Sequence, residues 1–140
     1  MVSLADKDKA AGVVEVKRLK SLGFEVFCTV GTADFMAKND LDVQIVSKFR
    51  EKDPKHVSSV DVIEQGLVDL VINTPMGQKA RGDGYEIRSA ASSRGVAYVT
   101  TLRGFQAAVS GIAAQAEGPL PVRSIQAHIA EVGLLSSGSR

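Results

Sequence analysis

The fold is decided by the stretch Val68-Asp69-Leu70-Val71-Ile72, which is continuously apolar apart from one aspartate. A short run of this kind, rich in valine and isoleucine, is typical of a strand buried on both faces of a parallel sheet. Gly66 precedes it as a helix-stop signal, and a glycine-rich segment follows Asn73-Thr74-Pro75. A buried strand set between two helical patterns predicts a βαβ unit.

The rest of the chain alternates in the same way, which predicts an α/β domain with a mainly parallel sheet. The predicted strands are Val2–Leu4, Glu25–Cys28, Val43–Val46, Val68–Ile72 and Ala97–Val99. The predicted helices are Asp8–Ser21, a short one through Phe35 and Met36, Val57–Gln65, Tyr85–Ser93 and Leu102–Ala116. The segment Val122–Val132 fits either an edge strand or a final helix. We expect one domain over residues 1–135 and a disordered tail over residues 136–140.

Composition narrows the classes of function. The 140 residues carry 17 basic and 16 acidic side chains, so charge gives no support for binding nucleic acid or a membrane surface. No apolar run approaches the roughly 20 residues of a membrane span. The single cysteine, Cys28, forms no internal disulfide, which favours a cytoplasmic location. The abrupt start on a strand pattern suggests a domain excised from a longer protein, with Met1 added.

Groups that bind anions follow all five predicted strands. Ligands of open parallel sheets bind beyond the carboxyl ends of the strands, so these positions define a candidate site. In chain order they are Asp6, Lys7 and Lys9; Thr29, Gly31 and Thr32; Ser47 and Lys48; Asn73, Thr74 and Gly77; and Thr100 and Thr101. Hydroxyls, ammonium groups and backbone N–H groups at helix starts hold phosphate or carboxylate. We therefore predict an anion site around the Thr29-Val30-Gly31-Thr32 turn.

Each position also has an ordinary structural explanation. Thr29 and Thr32 can be a strand end and a helix N-cap, and Thr100-Thr101 can cap the next helix. Asn73-Thr74-Pro75 can be a plain turn, and Lys48 can belong to a solvated charged loop. The coincidence at five strand ends favours a binding site.

Catalytic groups are scarce at the same edge. His56 and His128 do not follow strands, and Cys28 lies inside a strand without an obvious base to activate it. Asp83, in Gly82-Asp83-Gly84, fits a turn or a helix cap. No Cys/His cluster has metal-site spacing, and no Walker or GxGxxG loop occurs. The sequence predicts binding without catalytic residues, metal ligands or a cofactor.

An ordered set of motifs resembles the C-terminal allosteric domain of the carbamoyl-phosphate synthetase large subunit. The motifs are Val71–Gly77, Ile87–Ala91 and Tyr98–Leu102, together with Ser3–Lys9, Gly23–Glu25, Thr29–Ala33 and Val46–Lys48. The resemblance covers about Val2 to Ala113. It implies a methylglyoxal-synthase-like fold: three layers, with a five-stranded, mainly parallel sheet and helices on both faces.

The resemblance also implies a regulatory function. Bacterial members bind UMP as an inhibitor, some bind IMP as an activator, and ornithine binds at the boundary with the neighbouring domain. The positions that match the nucleotide site are Lys9, Thr29, Gly31, Thr32, Lys48, Asn73 and Thr74, with Ser3 at its periphery. The Thr29 and Thr32 hydroxyls would hold the phosphate, with Lys9 or Lys48 supplying positive charge. Tyr98 and Thr100 match the ornithine region.

The implied parent enzyme is an ATP-dependent, glutamine-hydrolysing ligase of arginine and pyrimidine biosynthesis. Its ATP and Mg or Mn ions would bind outside this domain. The implied partners are a nucleoside monophosphate, the rest of the large subunit, the glutaminase small subunit and a second copy of the chain. Neither nucleic acid nor a membrane is expected as a partner.

Three features depart from the family pattern, namely Val30, Pro75 and the pair Gln78-Lys79, and they bear on which nucleotide binds. Two other functions stay open. A phosphate-eliminating enzyme like methylglyoxal synthase would need Asp6 or Asp83 as its base. A subunit-association module would use the exposed faces of the helix that begins at Leu102.

Overall fold

A computed structural model describes residues 1–49, 53–74 and 77–137. Within these ranges the chain alternates strands and helices, as the sequence predicts. The strands are β1 (Val2–Leu4), β2 (Phe27–Thr29), β3 (Gln44–Val46), β4 (Leu70–Thr74) and β5 (Ala97–Val99). The helices are α1 (Asp6–Ser21), α2 (Val30–Ala37), α3 (Ser59–Glu64), α4 (Gly77–Ser93), α5 (Leu102–Glu117) and α6 (Ile125–Ser137).

The five strands form one sheet in the order β3-β2-β1-β4-β5. Every pair of neighbours is parallel, which confirms the predicted parallel sheet. After β1 the chain moves outward through β2 to β3, and it then crosses back to β4 and continues to β5. The connections that leave β1 and β4 therefore diverge, and such a switch point opens a crevice at the carboxyl ends of the two strands.

Helices cover both faces of the sheet, so the fold has the three layers that the resemblance implies. One core cluster joins Ile72 of β4 to Val16 of α1 and Phe105 of α5. The other cluster joins Val71 to Ile63 of α3. Because Val71 and Ile72 are adjacent, their side chains project to opposite faces of the sheet, and both are almost fully buried. The continuous apolar run that decides the fold is thus explained by burial on both faces.

Helix α1 lies close against the end of β1. A Cβ atom on Gly12 would stand 2.2 Å from Cδ1 of Leu4, so the glycine lets the helix approach the strand. The helix ends before Gly23, whose φ of 90° is a conformation that glycine adopts readily.

Several predicted boundaries differ from the structure, and two of the differences bear on the site. Strand β4 ends at Thr74 rather than Ile72, because Asn73 and Thr74 pair with Ser3 and Leu4 of β1. Helix α4 begins at Gly77, so most of the predicted glycine-rich loop is helical. Glycine costs only about 1 kcal/mol relative to alanine inside a helix, and tertiary contacts override that preference.

The C-terminal segment takes the helical alternative, as α6. The described side chains of α6, at residues 125–132, are all exposed. Of the predicted tail, Ser136 and Ser137 end α6, whereas residues 138–140 lie outside the described residues. Pro75 lies outside them as well.

Candidate anion-binding site

A pocket of about 430 Å³ lies at the carboxyl ends of β1, β2 and β4, where the connections diverge. All eight residues that were matched to the nucleotide site line it: Ser3, Lys9, Thr29, Gly31, Thr32, Lys48, Asn73 and Thr74. Leu4, Ala5, Asp6, Phe49, Gly84 and Ile87 complete the lining. The structure thus brings together residues that are as far apart in the chain as Ser3 and Thr74.

Threonine hydroxyls fasten the end of β1 inside this pocket. The Thr32 Oγ1 atom accepts a hydrogen bond from the Leu4 backbone N–H, with 3.0 Å between N and O. The Thr74 Oγ1 atom accepts from the Ala5 N–H, also at 3.0 Å. A hydroxyl that accepts a bond keeps its own proton, which it can donate to a ligand. These threonines therefore hold the fold and supply donors at the same place.

Thr29 and Thr32 belong to a strand end and the first turn of a helix rather than to a free turn. Thr29 ends β2 and occupies the N-cap position of α2, where its side chain makes no capping hydrogen bond. Its hydroxyl donates instead to Ser3 Oγ, at 3.2 Å. Thr32 is buried within α2, so its interpretation as the N-cap is wrong. The N–H groups of this first turn lack partners within the helix and favour an anion.

Lys9 places a partly buried ammonium group over the start of α2. Its Nζ atom lies 3.6 Å from where a Cβ of Gly31 would stand, which places the ammonium group beside the first turn of α2. The same Nζ lies 2.6 Å from Oδ1 of Asp6, and the side chains of Lys9 and Asp6 are 13% and 93% exposed. The hydrogen bond from Lys9 lowers the pKa of the Asp6 carboxyl. An anion that reaches Lys9 must therefore compete with a carboxylate of the protein.

Part of the pocket lining is apolar, and the sequence analysis does not predict it. Phe49, which follows the predicted site residue Lys48, is half exposed, and Ile87 of α4 is buried. Neither residue stands at a strand end, and aromatic or aliphatic residues in such positions are ordinary packing elements. Only their position in the fold identifies them as pocket residues.

Candidate catalytic groups lie mostly away from the pocket. His56 pairs with Asp53, with 2.5 Å between Nδ1 and Oδ2, and His128 lies on the exposed helix α6. Burial raises the pKa of the Cys28 thiol to about 12, which disfavours the nucleophilic thiolate. Asp6 is the one acidic residue among the described residues that line the pocket. The side chains of Gln78, Lys79 and Asp83 lie outside the described part of the chain.

The two residues predicted for ornithine lie apart from this pocket. Tyr98 belongs to the edge strand β5 and is half exposed, and the exposed Thr100 follows that strand. The neighbouring Thr101 caps α5, because its Oγ1 atom accepts a hydrogen bond from the Gly104 N–H at 3.0 Å. Capping, the structural explanation considered for this pair, is confirmed for Thr101.

Two features are absent from the described ranges. No group of three or more His, Cys, Asp or Glu side chains there is arranged to hold a metal ion. None of the helices there combines the length and the apolar character that crossing a lipid bilayer requires.

A sequence model of the MGS-like domain matches residues 12–100 of the chain. The chain belongs to the MGS-like domain family. This finding confirms the resemblance seen in the sequence, and the parallel five-stranded sheet of the structure agrees with it.

This MGS-like domain is similar to part of the carbamoyl phosphate synthase large chain of several bacteria. It is 45% identical to the protein of Beutenbergia cavernae over 129 residues, which are 91% of this chain and 12% of that protein. It is 42% identical to the protein of Kocuria rhizophila over 128 residues, again 91% of this chain and 12% of that protein. For Mycobacterium tuberculosis the identity is 46% over 129 residues, 89% of this chain and 12% of that protein. The chain thus spans about an eighth of the length of these relatives.

Proposed function

We propose that this MGS-like domain is the allosteric effector-binding domain of a carbamoyl phosphate synthase large chain. Its pocket would bind a nucleoside monophosphate, such as UMP as inhibitor or IMP as activator, through the phosphate. The observation that carries the proposal is the pocket at the switch point, where hydrogen-bond donors and lysines from four strand ends share the lining with apolar side chains. Identities of 42–46% to such large chains supply the context.

The polar side of the pocket suits a phosphate group. Hydroxyls of Thr32 and Thr74 can donate to its oxygens, and so can the free N–H groups at the start of α2. Lys9 and Lys48, which both line the pocket, supply positive charge. Charge-assisted hydrogen bonds of this kind are roughly twice as strong as neutral ones, so the phosphate would dominate the affinity.

The apolar side suits the base. Phe49 offers an aromatic face that is 48% exposed, and Ile87 gives a fixed aliphatic surface. A volume of about 430 Å³ lies within the usual range for small-molecule pockets. A nucleotide, which joins a dianionic phosphate to a planar ring whose faces can stack on apolar side chains, matches both parts of the lining.

The rest of the proposal concerns the parent protein. The remainder of the large subunit would receive the signal, and the glutaminase small subunit would be a further partner. ATP and Mg or Mn would bind outside this domain, in a cytoplasmic enzyme of arginine and pyrimidine biosynthesis. Ornithine would bind near Tyr98 and Thr100, on the exposed edge of the sheet.

The test is isothermal titration of the 140-residue chain with UMP, IMP, inorganic phosphate and ornithine, supported by melting curves. UMP or IMP should bind and raise the melting temperature, because a ligand of the folded state stabilises it. Lys48→Ala should weaken nucleotide binding by about tenfold, since it removes a charged contact. Lys17→Ala is the matched control, because Lys17 is an exposed lysine of α1 that does not line the pocket. Equal loss in both variants, or no binding of any anion by the parent, contradicts the proposal.

A phosphate-eliminating enzyme is the second candidate, and the position of Asp6 in the pocket lining favours it. The ion pair with Lys9 lowers the pKa of this carboxyl, however, which makes it a weaker base. Turnover of dihydroxyacetone phosphate that is lost in Asp6→Asn would establish this candidate, and the absence of turnover would exclude it.

Association with a second copy is a further proposal. Helix α5 turns mainly small and polar residues outward, whereas the exposed large apolar side chains near the C-terminus belong to residues 120–132. Sedimentation of the chain across a range of concentrations tests whether it forms a dimer.

A further inference from the structure

Arg88 of α4 is partly buried, and one end of its guanidinium lies against Gly84 of the pocket lining. Its Nη1 atom is fully enclosed, and no acceptor within the described residues lies within hydrogen-bond distance of it. Side chains of a helix lean toward its N-terminus, and that of Arg88 reaches back one turn to Gly84. A Cβ on Gly84 would stand 2.7 Å from Nη1, so a larger residue at this position would force the guanidinium to move.

The side chain of Asn73 lies next to the same Cβ position of Gly84. The position of that missing Cβ lies 3.2 Å from Oδ1 and 3.3 Å from Nδ2 of Asn73. Asn73 is 4% exposed, and both it and Gly84 line the pocket. Gly84 thus lies next to the enclosed Nη1 of Arg88, the buried amide of Asn73 and the pocket.

An enclosed guanidinium N–H without an acceptor is unfavourable, and native structures rarely keep one without a reason. Arginine stays protonated, so the group cannot relieve the cost by losing its charge. The amide of Asn73 offers an acceptor in Oδ1 and two donors in Nδ2. If Oδ1 accepts from Nη1, the Nδ2 donors turn to the pocket.

We propose that Arg88 is a positioning and specificity residue of this pocket, which orients Asn73 as a donor and selects anionic ligands of the phosphate-monoester class. The inference rests on the proposed function, because it concerns the same pocket. Bound phosphate accepts hydrogen bonds from the Nδ2–H groups of Asn73. The Oδ1 atom of the same amide then accepts a hydrogen bond from the enclosed Nη1 of Arg88. The ligand thereby completes a hydrogen-bond chain from phosphate through amide to arginine, and the charge of Arg88 adds to the attraction. A neutral nucleoside has no phosphate to complete this series of hydrogen bonds, so Arg88 should not strengthen its binding.

The experiment compares the affinities of UMP, inorganic phosphate and uridine for the parent chain and four variants. Arg88→Met should weaken the binding of UMP and of phosphate by at least about tenfold, which is the usual effect of losing a charged hydrogen bond. The affinity for uridine should not change. Arg88→Lys, which keeps the charge without the planar fork, should recover part of the loss. Gly84→Ala should also weaken UMP, because its methyl group displaces the guanidinium while the charge stays in the chain. Gly111→Ala is the matched control: Gly111 lies in α5 with nothing within 4 Å of its Cβ position, and UMP affinity should not change.

A direct readout is the side-chain NH₂ resonances of Asn73, which should shift on UMP binding in the parent and much less in Arg88→Met. A folded Arg88→Met that binds UMP as tightly as the parent overturns the inference, even if its melting temperature is lower. If that variant does not fold, parent-like UMP affinity in Arg88→Lys and Gly84→Ala overturns it equally. A parent chain that binds neither UMP nor phosphate contradicts the proposed function, and this inference with it.

Discussion

Replacing Thr32 by valine removes one oxygen atom from the centre of the pocket and keeps the shape of the side chain. Thr32 is 1% exposed, and its Oγ1 atom accepts from the Leu4 N–H at 3.0 Å. Valine leaves that N–H unpaired in a buried place, which costs about 1–3 kcal/mol. For a domain of this size the melting temperature should fall by about 3–9 °C.

The variant Thr32→Ser distinguishes the contribution of the hydroxyl to stability from that of the methyl group. Serine keeps an acceptor for the Leu4 N–H and loses one methyl, worth about 0.8 kcal/mol. Urea unfolding followed by circular dichroism gives both free energies, and unchanged m-values show that the two variants unfold as the parent does. Titration with UMP should show weaker binding to the valine variant than to the serine variant. A valine variant as stable as the serine variant would refute the fastening role of the hydroxyl.

Two further predictions use other parts of the same structure. Gly12→Ala should lower the free energy of unfolding, measured by urea titration, by up to about 2 kcal/mol. The new Cβ would stand 2.2 Å from Cδ1 of Leu4, and this clash outweighs the gain in helix propensity. Gly111→Ala, with open space around it, should instead gain up to about 1 kcal/mol, and the opposite order would count against the packing described for α1. Asp6→Asn should tighten phosphate binding by about two- to fivefold at low salt and by less at 1 M salt, because it frees Lys9 from an exposed ion pair. Equal affinity of Asp6→Asn and the parent for phosphate at low salt would show that Asp6 does not compete for Lys9.

The fold follows from the sequence where one physical signal dominates. The bounds of β1 and β5 are predicted correctly, because a short strand pattern ends there just before a clear helical pattern. The end of β4 is missed because Asn73 and Thr74 are polar, although they pair with β1. Their polarity serves the pocket, and a pattern of hydrophobicity cannot distinguish such a strand end from a loop.

The sequence likewise predicts only part of the pocket lining. The residues at the ends of strands are found in advance, because parallel strands bring all their carboxyl ends to one edge. Phe49, Ile87 and Gly84 are missed, since only tertiary packing places them against the strand ends. The role of Gly84 is the clearest case: in the sequence it resembles a loop glycine, whereas in the structure it makes room for Arg88.

The bonds from Leu4 and Ala5 to Thr32 and Thr74 span the junction between β1 and the first residue of α1. A ligand that accepts hydrogen bonds from these hydroxyls polarises both bonds to the backbone N–H groups and makes them harder to open. Amide exchange at Leu4 and Ala5 should therefore slow when the pocket is occupied. Since α1 packs against α5, we expect a change in how firmly β1 is joined to α1 to affect α5 as well.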